Sequence, residues 1–179
     1  MKWIILSNKH EQNFDIDGAL HDCGVDWNQN IKVKVGDIVY IYESRPEQYI
    51  KYKCRVTKTD KHFATFDDSA YGGSNMGEYV FPSFETQLEY EFKNPVMLKE
   101  MVKYGVSTKR IPVMKETAHP ELFQFLEDYE TEDKEAESFI TVKEDDLDTL
   151  PGEEREALIK VRLNQGHFRR TLLKEYYHC

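Results

Sequence analysis

Cysteine is scarce: there are three in 179 residues (Cys23, Cys54 and Cys179), at no spacing that suits a zinc site or a redox pair. That excludes a disulfide-stapled secreted scaffold and reads as reduced thiols in a cytoplasm. Long apolar runs are also missing. None approaches the ~20 residues needed to span a bilayer, and the amino terminus lacks a signal-peptide layout, so no membrane partner is expected. There is no Gly-x-Gly-x-x-Gly, no Walker loop, no Gly-x-Ser-x-Gly and no His-Glu-x-x-His. Without these the chain reads as a non-enzyme, with no catalytic residue and no cofactor. His21-Asp22-Cys23 offers two metal-ligand types, but at i and i+2 of a predicted helix they do not face each other, so no metal site is expected. Asp67-Asp68 with Ser69 reads as a solvated turn sooner than as an acid–base pair.

Positive charge is in deficit overall, with a formal net charge of -9. Taken alone, that argues against a nucleic-acid partner. Its distribution argues otherwise. Residues 1–116 carry 16 basic against 17 acidic side chains, residues 117–156 carry 3 against 15, and residues 157–179 carry 5 against 1. The acidity is confined to one segment and the first part of the chain is nearly neutral.

The length allows one domain with an appendage. Residues 2–6 read as a first strand and 13–21 as a short helix capped by Asn13 or Asp15. After the polar loop Asp26-Trp27-Asn28-Gln29-Asn30, a turn at Gly36-Asp37 precedes the unbroken apolar and aromatic run Ile38–Tyr42. A strand with no polar face belongs at the centre of a sheet, buried on both sides. From Tyr49 to Val56 the pattern alternates, with Ile50, Tyr52, Cys54 and Val56 inward and Lys51, Lys53 and Arg55 outward. Residues 60–84 form a long irregular, aromatic-rich excursion of the kind that is functional when ordered. A strand at 86–92, with Leu88, Tyr90 and Phe92 inward, is followed by a helix opened by Pro95 and ended at Gly105. Pro120–Tyr129 reads as a second helix. The expected organisation is therefore an α+β module over 1–129, an acidic linker over 130–150 and a helical segment over 151–179.

Two features have a plain reading and a functional one. Trp27 is either a core anchor or one wall of an aromatic cage for a planar or methylated group, a stack worth ~1–3 kcal/mol per base. The row Lys51, Lys53, Arg55, Lys58 and Lys61 is either a solvated face paired across strands with Glu89 and Glu91 or a phosphate-contacting stripe.

Taken in order, Trp3-Ile4-Ile5-Leu6-Ser7-Asn8, the Trp27 loop, Val35-Gly36-Asp37-Ile38-Val39-Tyr40-Ile41-Tyr42 and Asn94-Pro95-Val96-Met97-Leu98-Lys99-Glu100-Met101 resemble the EVE domain of the PUA superfamily. They are similar also to the YTH readers, in which a first strand ending in serine precedes a cage tryptophan by about twenty residues. The resemblance implies a small, strongly bent mixed β-barrel with flanking helices and a pocket for a modified base flipped from its stack. It implies Trp27 as the cage tryptophan, with Ser7 and Asn8 lining the pocket and Asn28 and Gln29 reading the base edge. Tyr42, Phe66 and Tyr71 are candidates for the remaining walls.

The tail Val161–Cys179 resembles the segment leading into the HNH nuclease domain of bacterial restriction enzymes, where Cys179 would match the first zinc cysteine. No second cysteine or His-Asn-His set follows it in this chain. The implied function is the recognition half of a modification-dependent HNH endonuclease that binds DNA carrying a methylated base, with a homodimer of the full-length protein as a further implication. An RNA or modified-RNA reader of the PUA/YTH type is the alternative, and a protein-interaction or small-molecule sensor domain is the third reading.

Overall fold

The computed structural model describes residues 1–7, 14–27, 31–59, 65–67, 69–72, 76–78, 83–108 and 112–147, with backbone alone at 65–67, 69, 76–78 and 136–147. Asn8, Asn28, Gln29, Lys61, Cys179 and the whole 151–179 segment lie outside them. The chain divides into two compact units, Met1–Tyr129 and Glu130–Cys179.

The first unit is built on a six-stranded mixed sheet of order β2-β7-β4-β3-β1-β8. Its strands are β1 (Lys2–Ser7), β2 (Val25–Trp27), β3 (Ile38–Glu43), β4 (Tyr49–Lys58), β7 (Phe84–Met97) and β8 (Met114–Lys115). β5 (Thr65–Asp67) and β6 (Met76–Glu78) pair with each other inside the excursion read as irregular. β1 and β3 are parallel and the other pairs antiparallel. Among the described residues the α-helices are α1 (Ile16–Asp22), α2 (Leu98–Met101) and α3 (Pro120–Leu147). Asp15 caps α1 by accepting from the Gly18 N–H.

The apolar run Ile38–Tyr42 is indeed central, with β1 on one side and β4 on the other. Its side chains feed two cores. Tyr40 and Tyr42 join Ile4, Ile50, Phe92, Val96 and the α3 residues Leu122, Phe123 and Leu126. Val39 and Ile41 join Trp3, Ile5, Ile16, Leu20, Trp27, Tyr52, Cys54 and Phe84. A sheet buried on both faces needs strands without a polar side, which is what this run supplies.

β7 departs from the expected pattern. Leu88, Tyr90 and Phe92 do not share one face, because the pairing with β4 slips between Lys53 and Cys54, which partner Tyr90 and Leu88. Leu88 then packs on one core, Tyr90 and Phe92 on the other. An extra residue at a bulge moves every later side chain to the opposite face. The strand also runs through Pro95 to Met97, where a helix was expected. A second slip between Ile50 and Tyr52 leaves Pro95 without a ladder partner on β4, so its missing N–H costs no hydrogen bond there. Helix α2 starts only at Leu98 and passes into a 3-10 turn ended by Gly105 at φ 82°.

Residues 130–147, expected as linker, are helical as the later part of α3. Glutamate and lysine are good helix formers, and Lys134 reaches back to Glu130 at 2.6 Å, an i,i+4 pair.

Candidate functional site

The parallel pairing of β1 with β3 sets Ser7 beside Glu43 in register. Both are buried, Glu43 to 1% exposure, and both of its carboxylate oxygens are shielded from solvent. The backbone continues the association, since Ser44 N–H donates to Ser7 O at 3.1 Å. Tyr42, one residue earlier, is 3% exposed. Burial pushes its phenol up, and the Gln48 side chain and the Arg45 charge offset part of that rise.

The turn leaving β3 frames this end of the sheet. Gln48 adopts φ 56°, a left-handed conformation that strains a residue bearing a side chain. Its N–H lies 3.4 Å from Ser44 O, and its carbonyl accepts from Leu98 N–H at 2.9 Å, which ties the turn to the start of α2. A buried hydroxyl and a buried carboxylate therefore stand side by side where β1 and β3 end and the 44–48 turn begins, while Tyr42 turns to the opposite core. Such a set can accept N–H donors from a flat polar ring and cannot easily be replaced by apolar packing.

Trp27 is elsewhere. It stands on β2, not in a loop, and pairs with Phe84 at the beginning of β7. Met97, at the other end of β7, pairs with Tyr49 beside Glu43. The ten-residue strand β4 separates the two levels, roughly 30 Å along the strand at 3.3 Å per residue. The ring is 8% exposed. Its indole N–H donates to Thr86 Oγ1 at 2.9 Å, and that hydroxyl donates to Val25 O at 3.2 Å. The strand registers therefore set Trp27 and Ser7 at opposite ends of the sheet. Tyr71 packs with the Trp27 core: its carbonyl accepts from Asp15 N–H at 2.7 Å and its hydroxyl lies 3.3 Å from Cys23 Sγ. The backbone of Phe66 belongs to β5.

The cationic row is paired. Lys51 Nζ lies 3.1 Å from both Asp17 and Glu91, Lys53 is 3.3 Å from Glu89, Arg55 also reaches Glu89, and Lys58 is 2.9 Å from Glu85. Burial pushes the Glu91 carboxyl up, but Lys51 and His21 outweigh it and hold it below its ordinary range. The arrangement matches the cross-strand pairing that was the plain reading of these residues.

Glu43 did not emerge as a site residue from the sequence alone. A carboxylate closing an apolar strand was the one available signal for Glu43. Among the described residues no group of three His, Cys, Asp or Glu is arranged to hold a metal ion, and no helix is long and apolar enough to cross a membrane.

An α+β fold with a curled, half-barrel sheet of six strands and flanking helices is the class this architecture defines, and it is consistent with PUA-like domains. No family model matches the chain, and no curated protein matches it. Among solved structures it is similar to a protein from Pseudomonas putida (16% identity, 73% of this chain and 99% of that one, TM-score 0.48). It is similar also to the DUF55 domain of human thymocyte nuclear protein 1 (15%, 73% and 98%, TM-score 0.48). A third likeness is to ASCH from Zymomonas mobilis (9%, 70% and 94%, TM-score 0.48).

Proposed function

We propose that residues 1–129 form a DNA-binding module that accepts a flipped, methylated base, the reader half of a modification-dependent HNH endonuclease. The nuclease context rests on the resemblance of the Val161–Cys179 tail. The observation that carries the base-binding reading is the buried Ser7–Glu43 pair at the shared end of two parallel strands. Burying a carboxylate costs several kcal/mol unless donors meet it, and the amino group of a base is a donor of that kind. Carboxylates accept from the exocyclic amino group of cytosine, and adenine offers the same kind of donor. The guest is therefore an amino-bearing base. A methyl-sized void beside it would add roughly a kcal/mol of discrimination. Trp27 enters as a rigid support, its N–H already committed to Thr86.

The test titrates the full chain against duplexes carrying methylated cytosine, methylated adenine or no modification. Tighter binding to one modified duplex, weakened about tenfold or more by Glu43→Gln, is expected. Equal weak binding to all three overturns the reading. A matched single-stranded RNA that competes better than DNA favours the RNA reader instead. The rival protein-interaction or small-molecule sensor reading draws on one observation, the ion pairing of Lys51, Lys53, Arg55 and Lys58. The same titration decides it, since a sensor binds none of these nucleic acids.

A further inference from the structure

We infer that His21 is a proton-operated latch on α1: with both ring nitrogens protonated it ties the helix to β7, and loss of one proton releases it. The inference stands apart from the base-reading proposal. His21 Nδ1 lies 2.8 Å from Asp17 O, and Nε2 lies 3.1 Å from Glu91 Oε2. A carbonyl oxygen and an ionised carboxylate only accept, so each contact needs an N–H on the ring. A neutral imidazole has one N–H and serves one partner; the imidazolium serves both. The ring also closes a loop through three elements. Glu91 on β7 holds Lys51 of β4 through Oε1 at 3.1 Å, and Lys51 returns to Asp17 Oδ1 on α1 at 3.1 Å. Two carboxylates against one ammonium leave a single excess negative charge, which the proton on His21 cancels. The His21 side chain is half-exposed, so solvent protons reach it.

Other ionisable groups stand around α1. Asp22 and Cys23 follow His21 in the chain, and Cys23 Sγ lies 3.3 Å from the Tyr71 hydroxyl. That contact, with slight burial and Asp22, pushes the Tyr71 phenol up to about 12, far above the imidazole range. β2 brings Asp26, in register with Glu85 of β7. Among the described residues the ring itself is hydrogen-bonded to Asp17 and Glu91. The Asp17 carbonyl, opposed by slight burial and joined by Glu91, holds the imidazole above its ordinary range. The ring stands in the last turn of α1, where the helix dipole also favours a cation. A value raised on folding gives a hold that is complete below the unfolded imidazole value, ~6.5, and is lost as pH rises through the raised one. The latch secures more than a surface turn. Ile16, Ala19 and Leu20 of α1 are buried in the core that contains Trp27, so release of the helix loosens the cover of that core.

The experiment follows the full chain by NMR across the imidazole titration. It reads the His21 ring nitrogens and the hydrogen-exchange protection of the Cys23 amide, which donates to Ala19 O at 3.1 Å, against amides of β3. His21 should titrate above the ordinary imidazole value. Opening of α1, corrected for the intrinsic exchange rate, should rise about two- to fivefold relative to β3 as the proton leaves, which is what a cation at a helix end is worth. His21→Gln and Glu91→Gln should each abolish that rise, and Glu91→Gln should also lower the His21 midpoint. Both side chains lie at the surface, and an unchanged near-UV spectrum checks the fold of each variant. A ring that titrates at or below the ordinary value overturns the inference. So does α1 protection that follows β3 at every pH. A rise that survives either substitution belongs to another group, Cys23 first among them, and overturns it as well.

Discussion

The Trp3 indole N–H donates to Asp37 Oδ2 at 2.9 Å, from a ring 2% exposed to a residue 7% exposed. The same carboxylate accepts from Lys34 N–H and pairs with the Met1 ammonium, each at 3.0 Å, so it pins the start of β1 to the turn before β3. Burial pushes the Asp37 carboxyl up, but the Trp3, Lys34 and amino-terminal donors outweigh it and hold it below the ordinary carboxylate range. A folded-state value below the unfolded one adds stability above the ordinary carboxylate range, which is lost as pH falls through the depressed value. Asp37→Asn should cost about 1.5–3 kcal/mol at neutral pH and flatten the acid limb of stability against pH. Urea unfolding from pH 6 down to 2 checks both. An acid limb as steep in the variant as in the native chain would exclude Asp37 as its source.

The chain Trp27 Nε1 to Thr86 Oγ1 to Val25 O is buried throughout. Thr86→Val keeps the volume and strands the indole N–H, for an expected loss of about 1–3 kcal/mol. Trp27→Ala should cost about 3–5 kcal/mol through the cavity it leaves. Thermal denaturation of the two variants measures this. A Trp27→Ala variant as stable as the native chain would mean the ring is not a core support.

Gly24 and Gly36 both sit at positive φ, 86° and 89°, yet their surroundings differ. A Cβ on Gly24 would lie 2.4 Å from Thr86 O, a backbone atom of β7, whereas one on Gly36 meets nothing within 4 Å. Gly36→Ala should cost about 1–2 kcal/mol from conformation alone. Gly24→Ala should cost roughly 1–3 kcal/mol more, because β2 must move off β7. Chemical denaturation midpoints rank the pair, and equal losses would contradict the close approach.

Cys54 and Cys23 should react differently. Burial, with the nearby Glu89 charge adding, pushes the Cys54 thiol up to about 12, and a contact with Thr86 offsets part of this. Cys23 is exposed. Alkylation at pH 8 followed by peptide mapping should find Cys23 modified in the native state and Cys54 only after unfolding. Native-state labelling of Cys54 at a comparable rate would show that its core opens readily.

What could be read from the residues followed local physics. The Ile38–Tyr42 run located the central strand, the alternation from Ile50 to Val56 located β4 and its buried face, and of the two cap candidates Asn13 and Asp15 the second starts α1. The failures are non-local. Trp27 sits among polar neighbours in sequence, and nothing there announces that Phe84, far along the chain, will pair with it as a strand. Pro95 looked like a helix start because the irregular pairing of β7 with β4 that accommodates it depends on both strands. Residues 130–147 were judged by acidity, while the Glu130–Lys134 spacing favoured a helix. The cationic row was legible together with Glu89 and Glu91 as its partners, while Asp17 and Glu85 joined it through the packing of α1 and the β4–β7 register. The Ser7–Glu43 pair arises from a parallel pairing that neither strand records alone.

The slipped register in β7 has a mechanical result. Leu88 and Phe92 hang from one ribbon yet anchor opposite layers of residues 1–129. Neither layer can loosen without pulling on the strand that holds the other, so the two should melt together. Amides on the Trp3 side should lose exchange protection when a side chain is trimmed on the Phe123 side.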